Sequence, residues 1–355
     1  MDNQECLDQA GLWSRSARIM TLACLIVFMA QMATTVYLPS LPVVMTDLAM
    51  TRQGAELSIS LFVIGAALPV LFWGAAADRY GRRLPLALSL LLFVGLSLLL
   101  ATTSQGPLLL ILRTLQGVAA GGAAIIARIL VRDHWHGDEL ALLLMSSLPL
   151  HGPNPAAAGG GMWARYASLL RRPGFFWPAC AGGIGFAITV TLQEVSPFVL
   201  QQGFALEVTT FGSLGLLIGI AYFAGAMTVN RRVARVGGRQ LMRQGAALIL
   251  LAAGGMLLLW ALGALQGSGG LVAMMTCYCL IIFGQAVLFP NSMALAVSDG
   301  CEHGAYAMAL CGFLQQGVAG VAAAGATLVS HHGAWAPLVF TLALITLLIV
   351  RTRVR

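Results

Sequence analysis

The sequence predicts an all-α polytopic membrane protein with about ten transmembrane helices. Its composition is 59% hydrophobic and only 9% charged, and its mean hydropathy is +0.86, which lies outside the range of soluble globular proteins. Long apolar runs alternate with short segments that contain arginine, as in proteins that cross a bilayer several times. The net charge of +7 does not indicate a nucleic-acid partner, because the arginines punctuate the apolar runs instead of forming one basic surface.

Arginine positions predict the orientation of the chain. The sequence contains no lysine, and only Arg52 and Arg113 fall outside the segments that we assign to the cytoplasm. Arg15 and Arg18 directly precede the first apolar run, so we expect no cleavable signal and an N-terminus that stays in the cytoplasm. We expect a multi-pass protein of the bacterial inner (cytoplasmic) membrane with both termini cytoplasmic.

Ten apolar runs are long enough, or nearly so, to cross a hydrocarbon core of about 30 Å as helices, which rise by about 1.5 Å per residue. Four lie in the first part of the chain and six in the second. The predicted spans are residues 19–38, 57–77, 84–101, 108–131, 175–200, 211–229, 241–265, 271–297, 306–329 and 337–350.

These spans divide the chain into an N-terminal bundle, residues 1–131, and a C-terminal bundle, residues 175–355, joined by a connector, residues 132–174. The longest apolar part of the connector, residues 140–150, has only eleven residues and is too short to span a bilayer. Counting it as part of a span would invert the second bundle and place its arginines outside, against the positive-inside rule. We therefore expect a cytoplasmic or interfacial connector.

A short charged segment, residues 74–83 (GAAADRYGRR), joins the second and third spans. Glycine at its start permits close helix approach, the second glycine permits a tight reversal, and the aspartate can pair with arginines. Because Arg128 is expected at the same membrane depth as Asp78, the pair is a hypothetical latch that breaks when the bundles move. The residues assigned to this conformational latch are Asp78, Arg128, Gly74, Gly81, Arg82 and Arg83.

The second bundle repeats this design. Residues 225–239 (GAMTVNRRVARVGGR) again follow glycine with arginines, two spans into their own half, with the acid replaced. A parallel internal repeat predicts a two-halved transporter fold with a substrate site near the middle of the membrane.

Several further segments carry a family resemblance. They are residues 31–39 (QMATTVYLP), 112–117 (LRTLQG), 196–200 (SPFVL), 289–295 (FPNSMAL) and 312–315 (GFLQ). Together with residues 74–83 they resemble the Bcr/CflA drug:proton antiporters of the major facilitator superfamily, and within them the EmrD-like branch. The resemblance implies the major facilitator fold, here with most of helices five and six absent, and export of small amphipathic compounds in exchange for protons.

Two ionisable residues inside predicted spans are candidates for proton coupling, because a charge in the bilayer is costly. Glu194 precedes a helix-breaking Ser196-Pro197 pair, and a carboxyl group that is moved out of water is suited to proton exchange. The resemblance implies that Arg113 assists this exchange and holds the region of the first helix. The alternatives are a glutamate on the outer surface and an arginine that reaches toward the outer interface.

Polar residues within or at the ends of the spans suit a mainly apolar cavity with few hydrogen-bonding groups. Such a cavity fits lipophilic or cationic drugs better than sugars, although each residue is equally suited to bond one helix to another. Glycine spacings such as Gly117–Gly121 and Gly215–Gly219 predict close helix packing. The substrate-cavity candidates are Gln31, Tyr37, Gln193, Gln285, Asn291 and Gln315.

The favoured function is proton-coupled efflux by alternating access, with a small amphipathic drug-like substrate, protons and the lipid bilayer as partners. The chain is expected to be a monomer without nucleic-acid partners. Alternatives are a non-transporting remnant of such a transporter and a metabolite facilitator. No cofactor and no metal are expected, and an enzyme is disfavoured, because the sequence has no metal cluster, nucleophile elbow or phosphate loop.

Overall fold

The computed structural model describes residues 21–22, 25–26, 29–30, 32–134, 162–299, 304–330 and 334–354. At Gly74, Ala75, Asp78, Arg128 and Met162, and at residues 131–134, 304–305 and 329–330, it describes the backbone alone. Throughout the described ranges the regular structure is helical.

Twelve α-helices follow one another in these ranges. They are α1 (Leu41–Asp47), α2 (Arg52–Ala67), α3 (Val70–Tyr80), α4 (Arg83–Ala101), α5 (Gly106–His134), α6 (Met162–Leu170), α7 (Pro173–Pro197), α8 (Val208–Val236), α9 (Gly238–Ala261), α10 (Gly267–Asp299), α11 (Gly304–Ser330) and α12 (Trp335–Thr352). A 3-10 turn (Leu38–Ser40) precedes α1, and a π-helical turn (Phe198–Gly203) follows α7.

Nine helices in the described part of the chain are long and apolar enough to cross a membrane. They correspond to the second through tenth predicted spans, whereas the first predicted span, residues 19–38, lies partly outside the described residues. The arginines that follow α3, α8 and α12 define one end of the bundle, which we call the arginine-rich face. The other end is the opposite face.

The second span begins earlier than the apolar run and is interrupted. Helix α2 starts at Arg52, where the side chain of Thr51 accepts a hydrogen bond of 3.1 Å from the Gly54 N–H. The helix ends at Ala67, and α3 begins at Val70. Pro69 explains the interruption, because it has no N–H to donate and disfavours helical geometry at the residue before it.

The two reversals predicted from glycine and arginine have matching backbones. Gly81, between α3 and α4, has φ 78° and ψ 167°, and Gly237, between α8 and α9, has φ 81° and ψ 149°. This region of backbone conformation is essentially restricted to glycine. The internal repeat in the sequence is therefore also present in the backbone.

Of the two glycine pairs predicted at close contacts, one lies at such a contact. A Cβ at Gly117 would overlap the Phe62 carbonyl, and one at Gly121 would overlap the Ala66 carbonyl, so α5 and α2 pack backbone to backbone. The prediction for Gly215–Gly219 was wrong. Both glycines face open space, because only 6% of the apolar window of α8 is buried.

Helix α7 lies at the centre of the second half, where it packs against α10, α11 and α12. The halves meet where α2 contacts α11 and α7. Gly320 of α11 brings the backbones close, since a Cβ there would lie 3.0 Å from the Ile64 nitrogen. One apolar cluster therefore runs through both halves, with Ile59 of α2 and Ile188 of α7 among its members.

Residues 162–170 of the predicted connector form α6, which is packed onto the bundle. Its Tyr166 and Leu169 are buried in a cluster with Phe175 of α7 and Leu310 of α11. The ring of Tyr166 lies 5.4 Å from that of Tyr306, edge to face. The described part of the connector thus packs against the ends of α7 and α11 at the arginine-rich face.

Candidate functional site

Glu194 lies where the two halves meet. Its side chain is 1% exposed, and the hydroxyl of Ser60 on α2 donates a hydrogen bond to its Oε1. A carboxyl group of the second half is therefore bound directly by a side chain of the first. Because this contact is buried, any change of charge on Glu194 acts on the junction between the halves.

Pro197 explains why the α-helical hydrogen bonding of α7 ends shortly after Glu194. Proline cannot donate to the carbonyl four residues earlier, which is that of Gln193. The Ser196 hydroxyl donates to this carbonyl instead, at 3.3 Å, and the chain continues as the π-helical turn Phe198–Gly203. The predicted break is thus a change of helical type, and it carries Phe198 toward α2.

Two residues that sequence reasoning left outside the site, Arg52 and Glu56, lie beside Glu194. Glu56 is 1% exposed, and its Oε1 lies 2.8 Å from the Arg52 Nε in an ion pair one helical turn apart. Glu56 is also close enough to Glu194 for the two carboxyl groups to interact electrostatically. The Arg52 guanidinium lies 4.4 Å from the centre of the Phe198 ring.

A sequence signal for this pair existed. The predicted span began at Leu57 because apolar content was counted, which excluded Glu56 by one residue. Thr51 is a good helix N-cap, and Arg52 and Glu56 have the spacing of a helical ion pair. Together they indicate that the helix starts five residues earlier and contains both charges.

Arg113 forms a second polar cluster, within the first half. It is 4% exposed, and its Nη1 donates to the Ala33 carbonyl at 3.1 Å and to Gln116 Oε1 at 2.9 Å. Its guanidinium lies 3.6 Å from the centre of the Tyr37 ring. The Tyr37 hydroxyl is 3.1 Å from the Ser58 hydroxyl, so the cluster joins the end of the first predicted span to α2 and α5.

The other cavity candidates do not come together at one place. Gln315 of α11 donates to Ser292 at 3.0 Å. Gln285 of α10, with its amide in the orientation that satisfies both groups, donates to the Gly185 carbonyl and accepts from the Phe186 N–H, each at 3.1 Å. Both therefore bond helices within the second half.

The remaining candidates are more scattered. Asn291 donates to the Val287 carbonyl at 2.7 Å, and a Cβ at Gly238 would lie 3.1 Å from its Oδ1, so it packs against the start of α9. Gln193 is half-buried. Gln31 lies outside the described residues.

For the latch, the structure describes only part of the proposed set. The side chains of Asp78 and Arg128, and the surroundings of Gly74, lie outside the description. Arg82 Nη1 donates to the Ala77 carbonyl at 2.9 Å and so caps α3, and Arg83 is exposed at the start of α4. Gly81 forms the reversal between them. The latch itself stays a prediction.

Four buried side-chain oxygens on α7 and α11 have no hydrogen-bond partner within the described residues. They are the hydroxyl oxygens of Thr189 and Thr191 and the amide oxygens of Gln315 and Gln316. Buried polar atoms are usually paired, so these oxygens are left unsatisfied in this arrangement of the helices and can accept a hydrogen bond only if the helices separate. In the same described ranges, no three His, Cys, Asp or Glu side chains are grouped as metal ligands.

Comparison with known proteins gives a family match over the first part of the chain. The family model described as Major Facilitator Superfamily matches residues 23–150. A mutant of the nucleoside transporter NupG has a similar structure, with a TM-score of 0.65 over 95% of this chain and 97% of that chain, at 11% sequence identity. The all-helical architecture and these matches define the class. The protein is a multi-pass membrane protein with the major facilitator fold.

Individual relatives come from bacteria. Multidrug resistance protein D of Escherichia coli (strain K12) is 30% identical over 190 residues, which are 52% of this chain and 47% of that protein. The uncharacterized MFS-type transporter YdgK of Bacillus subtilis (strain 168) is 28% identical over 190 residues, 50% of this chain and 46% of that protein. Multidrug resistance protein MdtL of Salmonella typhimurium is 36% identical over 111 residues. The match spans about half the length, or less, of these relatives.

Proposed function

We propose that this protein exports small amphipathic compounds in exchange for protons, by alternating access of a site between its two halves to the two membrane faces. The observation that carries the proposal is the buried contact between Glu194 of α7 and Ser60 of α2, with Glu56 close by. The names of the multidrug resistance relatives agree with export of drugs. We assign the coupling proton to Glu194.

The mechanism follows from charge at the junction. With a proton on Glu194, the Ser60 contact joins two groups without a net charge between α2 and α7. When the proton leaves, a second negative charge is placed near Glu56 in a site that excludes water. An uncompensated buried charge is strongly destabilising, so deprotonation favours separation of the two helices at this point and access of water to Glu194.

Arg113 has a supporting role in this proposal. It lies in the first half with Tyr37, Gln116 and the Ala33 carbonyl, and within the described residues no hydrogen bond or ion pair joins it to Glu194. We infer that it holds the end of the first helical segment against α5, so that Ser60 and Glu56 of α2 are presented to α7. Its positive charge also disfavours a second cation nearby.

The substrate class is proposed from the character of the central helices. Helix α7 is mostly apolar, and the unpaired oxygens of Thr189, Thr191, Gln315 and Gln316 accept but cannot all donate hydrogen bonds. An apolar molecule with one or two N–H groups, such as a lipophilic amine, complements such a surface. A sugar requires many fixed polar partners on all sides.

The test is transport into inside-out vesicles with an imposed pH gradient, using ethidium as the amphipathic cation. We expect gradient-driven uptake by the wild-type chain and its loss, by at least about tenfold, in Glu194→Gln, because removing a general acid or base typically costs that much or more. Substrate-dependent release of protons, followed with a pH dye, should be lost in the same variant.

The matched control is Glu207→Gln, since Glu207 is an exposed carboxylate at the start of α8, on the same chain segment but outside the junction. It should transport like the wild type. Equal uptake by Glu194→Gln and the wild type would rule out Glu194 as the coupling residue, and uptake that ignores the pH gradient in both would indicate a facilitator.

A non-transporting remnant of such a transporter is the second candidate, because the sequence predicts ten spans with most of helices five and six of the resembled family absent. It predicts normal insertion and folding, with no ethidium uptake in any variant. Binding of ethidium measured by fluorescence polarisation in detergent separates the two, because a transporter whose cycle is merely slow still binds its substrate.

A further inference from the structure

A pocket of about 380 Å³ lies at the arginine-rich face of the second half, away from the Glu194 junction. It lies between the first two turns of α7, the start of α9, the end of α10 and the two residues that follow α12. Its lining residues are Pro173, Gly174, Pro178, Arg239, Leu295, Ser298, Asp299, Arg353 and Val354.

The charges of the pocket are not balanced within it. Its one acidic residue, Asp299, has its carboxylate against the first turn of α7, since a Cβ at Gly174 would lie 2.6 Å from Asp299 Oδ1. A helix N-terminus stabilises a negative charge, so the charge of Asp299 is already compensated there. Arg172 donates to the backbone carbonyl of Asp299 at 3.0 Å and adds a further cation at the edge.

Two arginines remain to face a ligand. Arg239 has no hydrogen-bond or ion-pair partner anywhere in the described ranges, and Arg353 has its guanidinium 5.1 Å from the centre of the Trp177 ring. Stacking uses the flat face of a guanidinium and leaves the N–H groups in its plane for an anion, which arginine binds with two parallel hydrogen bonds.

The surroundings indicate where the anion comes from. The pocket opens at the ends of membrane-spanning helices, and Pro178, Leu295 and Val354 add apolar surface beside the arginines. Tryptophan at such a depth is typical of the boundary between hydrocarbon and headgroups. A ligand that joins a phosphate to apolar chains matches both parts of the lining, whereas a free phosphate matches only the arginines.

We propose that this pocket is a binding site for an anionic phospholipid, with its phosphate held by Arg239 and Arg353 and its acyl chains directed along the second half. Basic pockets between spans at a cytoplasmic membrane face are known to hold such headgroups. The site is separate from the transport site, and its occupancy is measurable without any transport activity.

The test measures phosphatidylglycerol retained by the purified full chain in detergent, by native mass spectrometry over a lipid titration. We expect the double variant Arg239→Gln/Arg353→Gln to bind about thirty-fold more weakly, because each arginine near an anionic lipid contributes about fivefold. Phosphatidylcholine, whose headgroup has no net charge, should bind no better to the wild type than to the variant.

The matched control is Arg231→Gln/Arg351→Gln, which removes two arginines at neighbouring helix ends that are exposed, as Arg239 and Arg353 are, but that do not line the pocket. It should change the affinity by no more than about twofold, as expected for screened surface charges. If the double variant folds poorly, Arg239→Lys/Arg353→Lys keeps the charges and should retain most of the binding while losing the paired hydrogen bonds.

Three outcomes would overturn the proposal. In one, the control and the pocket variant weaken binding equally, which indicates general attraction to a basic surface. In another, the pocket variant binds phosphatidylglycerol like the wild type. In the third, inorganic phosphate displaces the lipid at equal concentration, which assigns the pocket to a soluble phosphate compound.

Discussion

At the scale of single residues, burial distinguishes the charges that matter from those that orient the chain. Glu194 and Arg113 were selected from the sequence because each interrupts an apolar run, and both are buried. Glu56 was missed because it precedes its run by one position, yet it is equally buried. The sequence shows how deep a charge lies along a helix, but which helix it faces depends on packing that no local pattern encodes.

Tyr37 provides a test of the Arg113 cluster. Tyr37→Phe keeps the ring under the guanidinium and loses the contact to Ser58, so the free energy of unfolding should fall by about 0.5–1.5 kcal/mol, the usual value of one hydrogen bond. Tyr37→Leu also removes the cation–π contact and should cost about 1–2 kcal/mol more. Thermal unfolding in detergent compares the two. Equal losses in both variants would mean that the ring does not stabilise Arg113.

At the scale of elements, prolines explain where the helices change or break. The chain continues past Pro197 as a π-helical turn, and the Ser196 hydroxyl donates to the carbonyl that Pro197 cannot reach. The second span is interrupted at Pro69, where α2 ends and α3 begins. Apolar content alone predicted where spans lie but not where they start. The start of α2 depends on Thr51 and an ion pair, which are polar features.

The two reversals allow a matched test of backbone strain. Gly81→Ala and Gly237→Ala place a side chain in a backbone region restricted to glycine, so each should lower the free energy of unfolding by about 1–3 kcal/mol. Gly95→Ala is the control, because Gly95 is inside α4 and an added Cβ meets nothing within 4 Å. It should be neutral or stabilising by about 0.5–1 kcal/mol. The measurement is the midpoint of thermal unfolding of each variant in detergent, compared with that of the wild type. A Gly81→Ala protein with an unchanged midpoint would contradict the strain argument.

At the scale of the whole molecule, the two halves share two apolar clusters and touch along α2, α7 and α11. Alternating access requires some of these contacts to break and re-form in each cycle. The contact between Ile64 and Gly320 is suited to a test, because a Cβ at Gly320 lies 3.3 Å from the Ile64 Cα, within the reach of a disulfide.

We therefore expect Ile64→Cys/Gly320→Cys, made after replacing the seven native cysteines, to form a disulfide that stops gradient-driven ethidium uptake. Cleaving the disulfide with a reductant should raise the uptake rate of this variant by at least about tenfold, since the cross-link blocks the conformational step on which turnover depends. The single cysteine variants are the controls and should ignore the reductant. Full activity of the cross-linked protein would show that α2 and α11 do not separate at this point.

The sequence by itself determined the membrane class, the positions of the nine described spans and both glycine reversals. Hydrophobic length and restricted backbone conformations are local properties. It also selected Glu194 and Arg113, since a charge within an apolar run is visible without knowing its neighbours. Only the tertiary structure decided that Ser60 donates to Glu194 with Glu56 close by, that Gln285 and Gln315 bond helices within the second half, and that Arg239 and Arg353 share a pocket. Those relations join residues far apart in the chain, and they depend on how helices pack, which the periodicity of any one segment does not specify.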